Sequence, residues 1–139
     1  MQRAKPEDWW KTEKKSNDVT LITEPYLQEF YLCNCWHVRG RDKDMLIDSG
    51  MGVVSLREWV PIVTEQSLTA VASHTHFDHI GCHHEFEDVA VHSAEVDIIT
   101  EPTRLSTLAN PYVTDDIFTK LPPVPYQSST YEVKSVKPT

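Results

Sequence analysis

Short runs of apolar residues separated by polar turns dominate the first hundred positions, and they favour strands over long helices. Residues 39–44 are polar and contain Gly40, which predicts a hairpin turn between two of these runs. These runs predict strands at Val19–Ile22, Glu29–Val38, Met45–Ile47, Leu68–Ala72 and Val89–Val91. The second of them is rich in aromatic and β-branched residues, which favour strands.

Helical spacing of apolar residues occurs in two places. Val53–Gln66 is typical of an amphipathic helix, which Pro61 should kink or shorten. A second helix is expected at Ala94–Thr100, with Ser93 as its N-cap. Since the strands first follow one another as hairpins and then alternate with helices, the fold class is predicted to be α/β or α+β.

The 139 residues suffice for one domain. Residues 1–18 are charged and polar and are predicted to form a solvated N-terminal arm, and residues 19–139 to form the domain. Six of the nine prolines follow position 100, so residues 101–139 are expected to be irregular, with a possible strand at Tyr131–Val136.

Composition argues against several classes of function. No stretch approaches the roughly 18–20 consecutive apolar residues that a membrane span needs. The start of the chain lacks the apolar stretch of a secretory signal, so a cytoplasmic location is expected. The net charge of −8 argues against nucleic acid as a partner. The three cysteines, Cys33, Cys35 and Cys82, are expected to be free thiols with packing roles.

A cluster of metal-ligand residue types follows the strand predicted at Leu68–Ala72, namely His74, His76, Asp78 and His79. His74 and His76, separated by one residue on an extended segment, present both rings to the same side and can chelate one ion. Asp78 and His79, predicted at the start of a helix, can reach a second ion. Imidazole and carboxylate suit zinc, and also iron or manganese. Two neighbouring metal ions can activate a water as a nucleophile.

The other histidines have weaker signals. His83 and His84 are predicted to be solvated, and His37 to be a strand residue without a metal role. His92 either lines the cleft or caps the following helix. A zinc finger is disfavoured because no cysteine pairs accompany the histidines, and no His-Glu-x-x-His motif is present.

The histidine segment resembles the metal-binding motif of the metallo-β-lactamase-fold hydrolases. Met45–Gly50 is similar to the family's strand with its Asp-Ser/Thr-Gly turn, and the resemblance covers about Val19–Thr100. The stretch Arg39–Gly52 and the His92–Glu95 step look most like acyl-coenzyme A thioesterase-type members.

The resemblance implies a role for each motif residue. His74 and His76 would ligate a first metal, and Asp78 and His79 a second, with Asp78 also orienting the attacking water. Asp48 would hold a ligand or water from beneath the site, although a carboxylate bonded to its own turn's amides is an alternative. The implied function is hydrolysis of a thioester, lactone or related ester by a two-zinc site. A mononuclear iron oxygenase or redox protein on the same fold is the alternative.

The implied fold is a four-layer αββα sandwich whose second half supplies a bridging Asp and two further His ligands. No histidine follows His92, so the sequence is expected to form the N-terminal half of such a domain. It could be a fragment, could take ligands from another chain, or could be a non-catalytic relative. We expect the chain alone to be inactive and to self-associate through an exposed apolar face.

Overall fold

A single six-stranded mixed sheet forms the centre of the computed structural model, which describes all 139 residues. The strands lie in chain order across the sheet; β1 to β4 are antiparallel neighbours, whereas β5 pairs in parallel with both β4 and β6. This mixed sheet confirms the predicted α/β class. The strands are β1 (Lys11–Lys14), β2 (Val19–Thr23), β3 (Cys35–Val38), β4 (Asp44–Ile47), β5 (Leu68–Val71) and β6 (Asp88–Ala90).

The helices are all short. The α-helices are α1 (Leu56–Trp59), α2 (Val96–Thr100) and α3 (Ala109–Tyr112). The longest, α2, has five residues, and none of the helices could cross a membrane. Single 3₁₀ turns occupy Pro6–Asp8, Glu29–Tyr31, Pro61–Thr64, His83–Glu85, Ser93–Glu95, Asp115–Ile117 and Ser128–Thr130.

The long helix predicted at Val53–Gln66 is wrong in its extent. Ser55 caps α1 by accepting a hydrogen bond from the Glu58 N–H, but α1 ends at Trp59. A separate 3₁₀ turn begins at Pro61, because proline has no N–H with which to continue an α-helical hydrogen-bond ladder.

Two predicted strands also differ from the structure. Of Glu29–Val38, only Cys35–Val38 joins the sheet, and Glu29–Tyr31 forms a 3₁₀ turn. Phe30 and Tyr31 lie in that turn, outside the sheet, whereas Trp36 remains in β3. No strand forms at Tyr131–Val136.

The N-terminal residues are part of the domain rather than a solvated arm. β1 pairs with β2 along its whole length. Trp9 is fully buried, and its indole N–H donates to the Glu24 carboxylate at 2.9 Å. The predicted arm therefore contributes both a strand and a core residue.

The central strands bury one continuous row of side chains. His37, Leu46, Ala70 and Val89 are paired across β3 to β6, and each is at most 1% exposed. His37 is the polar member of this row, and its Nε2 lies 2.9 Å from an Asp44 carboxylate oxygen. A buried imidazole needs such a partner, and the pair lies at the end of β4 remote from Asp48.

The tail after residue 100 crosses the domain as irregular structure with short helical turns. The Tyr131 hydroxyl donates to the Met51 carbonyl at 2.7 Å, and the Val136 N–H donates to the Ile99 carbonyl at 3.0 Å. Thr139 exchanges two hydrogen bonds with the Val89 backbone, each of 2.9 Å. The tail is thereby fixed to the loop at Met51, to α2 and to β6.

Glu24 is a carboxyl group buried beneath the N-terminal segment. It is 1% exposed and accepts hydrogen bonds from the Trp9 indole and the Met51 N–H. Burial outweighs these hydrogen bonds and raises the pKa of Glu24 to about 8. The folded protein therefore holds a proton on Glu24 at pH values where the unfolded chain has lost it.

Glu24→Gln should remove part of the pH dependence of stability. Between the ordinary pKa of 4.5 and the folded pKa of about 8, the unfolded chain binds fewer protons, so stability falls as pH rises. The contribution is on the order of 3–5 kcal/mol across this window. Gln is neutral throughout, so urea unfolding from about pH 5 to 8 should show a flatter decline for the variant. Exposed Glu132→Gln is the matched control, and equal slopes for Glu24→Gln and the parent would contradict this account.

Candidate metal centre

The histidine segment begins where β5 ends, beside the Asp48-Ser49-Gly50 turn that follows β4. Because β4 and β5 are parallel, their carboxyl ends meet at one edge of the sheet. The Ser49 N–H donates to the His79 carbonyl at 2.8 Å, and the Gly81 N–H donates to the Gly50 carbonyl at 2.7 Å. These two bonds fix the turns against each other.

Asp48 connects the two turns through its side chain. One carboxylate oxygen accepts the Ser73 N–H at 2.8 Å. The other accepts the Ser73 hydroxyl at 2.6 Å and lies 2.7 Å from His79 Nδ1. Burial alone would raise the pKa of Asp48, but the bonds with His79 and Ser73 outweigh it and hold that pKa below its ordinary value. The carboxylate thus bonds across to the neighbouring turn rather than to its own.

The four residues proposed as ligands from the sequence lie together. The ring centroids of His74 and His76 are 4.6 Å apart, and those of His74 and His79 are 4.0 Å apart. An Asp78 carboxylate oxygen lies 3.5 Å from His79 Nε2. His76 is exposed and the other three are partly buried, so the cluster opens to solvent on one side.

The donor chemistry fits a divalent metal ion. Burial, together with the neighbouring His79 and His76, lowers the pKa of His74 and favours the neutral ring that a metal ligand needs. Burial would also lower the pKa of His79, but its bond with Asp48 raises that pKa to about 10. With that pKa, both ring nitrogens of His79 are protonated at neutral pH. A metal ion would displace the proton on Nε2, the nitrogen on the Asp78 side, while Nδ1 would keep its proton facing Asp48.

Cys33 is a neighbour of the cluster that the sequence did not assign to it. Its Sγ lies 3.4 Å from His79 Nδ1 and 3.8 Å from Cys35 Sγ. Potential ligand atoms of Cys33, Asp48 and His79 all lie within 4.8 Å of one another. The hydrogen bond with Cys35 and the contact with His79 lower the pKa of Cys33 to about 7. Only the pairing of β3 beside β4 reveals this proximity, and no local sequence signal does.

His83 is fully buried, so its predicted exposure to solvent is wrong. The segment after His79 forms turns and a 3₁₀ turn at His83–Glu85 instead of the predicted helix, and this directs His83 inward. Its Nδ1 lies 2.7 Å from the Ser49 hydroxyl, which also accepts the Cys82 N–H at 2.9 Å. His83 therefore supports the turn that carries Asp48.

The remaining histidines lie apart from the cluster. His84 is partly buried rather than solvated. His92 caps the next turn, because its Nδ1 accepts the Ala94 N–H at 3.0 Å, whereas Ser93 makes no such cap. Cys82 is buried with a free thiol, as its predicted packing role requires.

A cluster of metal-ligand residues at the edge of a mixed α/β sheet is typical of metal-binding enzymes, and comparison with known proteins identifies the family. Residues 29–128 match the family model of the metallo-beta-lactamase superfamily, and the chain belongs to that superfamily. Among its relatives is the acyl-coenzyme A thioesterase MBLAC2 of Homo sapiens, which is 28% identical over 95% of this chain. The Gallus gallus protein of the same name is 35% identical over 63% of this chain.

The matches cover only part of each relative. This chain spans 51% of the human protein and 35% of the chicken protein. Solved structures show the same fold: a metallo-beta-lactamase from Pontibacter korlensis has a TM-score of 0.56 at 19% identity, covering 67% of this chain and 48% of its own. The subclass B3 enzyme MEM-A1, from a soil metagenome library, has a TM-score of 0.54 at 15% identity, covering 71% and 39%. The chain therefore has the predicted half of the sandwich fold.

Gly81→Ala should disrupt the contact between the two turns. A Cβ at this position would lie 1.9 Å from the Met51 carbonyl carbon, which the backbone cannot accommodate without shifting. We expect a loss of roughly 1–3 kcal/mol in stability together with weaker zinc binding. Denaturant unfolding and zinc titration measure both, with exposed Glu87→Ala as the control. Parent-like stability and zinc affinity in Gly81→Ala would show that the close contact is dispensable.

Proposed function

We propose that the protein containing this chain is a metal-dependent hydrolase of a thioester, lactone or related ester. The observation that carries the proposal is the convergence of His74, His76 and His79 with Asp78 at one solvent-open edge of the sheet. Membership of the metallo-beta-lactamase superfamily supports it. The name acyl-coenzyme A thioesterase, which the relatives carry, favours a thioester among these substrates.

The four clustered side chains would hold the metal, with His74 and His76 at one position and Asp78 and His79 at a second. Zinc is the expected ion, two per complete site, and iron or manganese suits the same donors. Bound ions would supply the Lewis acidity that makes water a nucleophile near neutral pH. Asp78 would orient that water, and Asp48 would hold the His79 ring in its tautomer and direction through the 2.7 Å contact with Nδ1.

The donor set suggests that other residues complete the site. Two metal positions would share the four clustered ligands, whereas a catalytic zinc usually has three protein ligands of its own. The repulsion between two neighbouring cations would also lack a bridging carboxylate. We therefore propose that further ligands come from residues outside this chain, on a continuation of the polypeptide or on a second chain. The match to half of the human relative supports this arrangement.

His76→Ala should weaken zinc binding by more than about a hundredfold, because it would remove a direct imidazole ligand. His84→Ala is the matched control, since His84 lies eight positions further along the same segment and outside the cluster. Zinc content after dialysis and competition with a chromophoric chelator measure the difference. Equal zinc loss in both variants would place the metal elsewhere.

Asp78→Asn should abolish thioester hydrolysis even where some zinc remains, because a neutral amide ligates weakly and cannot orient the water. The assay compares the zinc-loaded protein at its native length with its Asp78→Asn variant, using acyl-thioester and lactone substrates. The 139-residue chain alone should be silent in the same assay. Absence of hydrolysis in the zinc-loaded native-length protein would refute the proposed activity. Turnover by the chain alone would refute the need for outside ligands.

A further inference from the structure

A small apolar cavity adjoins the candidate metal centre. Its volume is about 230 Å³, and five of its seven lining residues are hydrophobic. The lining residues are Phe30, Tyr31, His76, Phe77, Asp78, Leu108 and Tyr112. Pockets for complete ligands usually measure about 300–1,000 Å³, so this one has room for only part of a substrate.

The walls of the cavity expose aromatic surface that a folded protein ordinarily covers. Phe30 is 84% exposed and Tyr112 is 44% exposed. Tyr31 stands between them, with its ring 5.0 Å from that of Phe30 and 6.3 Å from that of Tyr112. These exposed aromatic side chains offer apolar surface that an apolar ligand in the cavity could bury.

The part of the cavity wall at Leu108 is fixed by the backbone rather than left free. Leu108 has a φ of 63°, a left-handed conformation that a leucine rarely adopts. The preceding residue, Thr107, accepts the Phe77 N–H at 2.9 Å, which ties this wall to the histidine segment. Local backbone strain of this kind persists where the surrounding structure enforces it, often at ligand sites.

We propose that this cavity binds the acyl chain of the substrate, and the proposal rests on the thioesterase function put forward above. His76 and Asp78 belong both to the cavity wall and to the metal-ligand cluster. A carbonyl placed at the metal ligands would thus have its apolar tail against Phe30, Leu108 and Tyr112. No Lys or Arg side chain lines the cavity, so the polar, anionic thiol portion of an acyl thioester would lie outside it. The site accordingly selects extended acyl groups over acetyl.

Binding to the cavity can be measured without any turnover. Octanoate and acetate are titrated separately into the isotope-labelled 139-residue chain without added metal, and amide NMR shifts are followed. Octanoate should shift signals around Phe30, Leu108 and Tyr112 and should bind at least about tenfold more tightly than acetate, because only its chain buries apolar surface. Phe30→Ser should remove most of that difference. Val124→Ser is the control, since Val124 is also apolar and exposed, at 74%, but does not line the cavity.

Hydrolysis by the native-length, zinc-loaded protein gives the second measurement. The ratio of kcat/KM for an octanoyl thioester to that for an acetyl thioester should fall roughly tenfold in Phe30→Ser and Tyr112→Ser, and not in Val124→Ser. Hydrolysis with a ratio unaffected by the cavity variants would overturn the acyl site while leaving the hydrolase standing. Octanoate binding at the cavity with no hydrolysis of any thioester would uphold the site as an acyl-binding pocket and refute the thioesterase. Equal shifts from octanoate and acetate, or octanoate shifts elsewhere on the chain, would overturn the acyl site.

Discussion

The Asp48 carboxylate joins the ends of β4 and β5, and the arrangement of the candidate metal centre depends on that junction. The left-handed backbone of Asp48, with a φ of 65°, turns its side chain toward Ser73 and His79. One oxygen then fixes the start of the histidine segment and the other fixes its last imidazole. Because the carboxylate is 4% exposed, these hydrogen bonds act with little competition from water. Beneath them, the buried His83–Ser49 pair keeps the turn itself in place.

The parts of the site that follow from local sequence were predictable. The strands β4 and β5 are short apolar runs that end at polar turns, and the ligand types stand within six positions of one another. The direction of each side chain after His79 was not predictable, because it depends on whether the segment continues as a helix or as tight turns. His83 was therefore predicted to be solvated, whereas in the structure it is buried and supports the Asp48 turn. The position of Cys33 was not predictable for a different reason. Cys33 comes close to His79 only because β3 pairs beside β4 in the folded sheet.

The fold class was predictable because it also follows from local runs of apolar residues. The extent of individual helices and strands was not predictable. Pro61 ended α1 earlier than the apolar spacing suggested, and the aromatic residues of Glu29–Tyr31 line the cavity beside the metal-ligand cluster instead of continuing β3. The proline-rich stretch after residue 100, which was expected to be irregular, contributes two further lining residues, Leu108 and Tyr112. Segments that sequence patterns describe poorly thus lie beside the candidate metal centre, while the well-described strands lie beneath it.

The hydrogen bonds between Thr139 and Val89 have a consequence for how the sheet meets other chains. They occupy backbone groups of β6 that would otherwise be free to pair with a strand of another molecule. At the opposite edge, β1 is only four residues long and carries Lys11, Glu13 and Lys14, which discourage edge-to-edge pairing. Both borders of the sheet are therefore protected against open-ended strand addition, the usual route to fibrillar aggregation. For a polypeptide that joins this domain without displacing Thr139, the favoured routes are a face of the sheet and the loops at the carboxyl ends of β4 and β5.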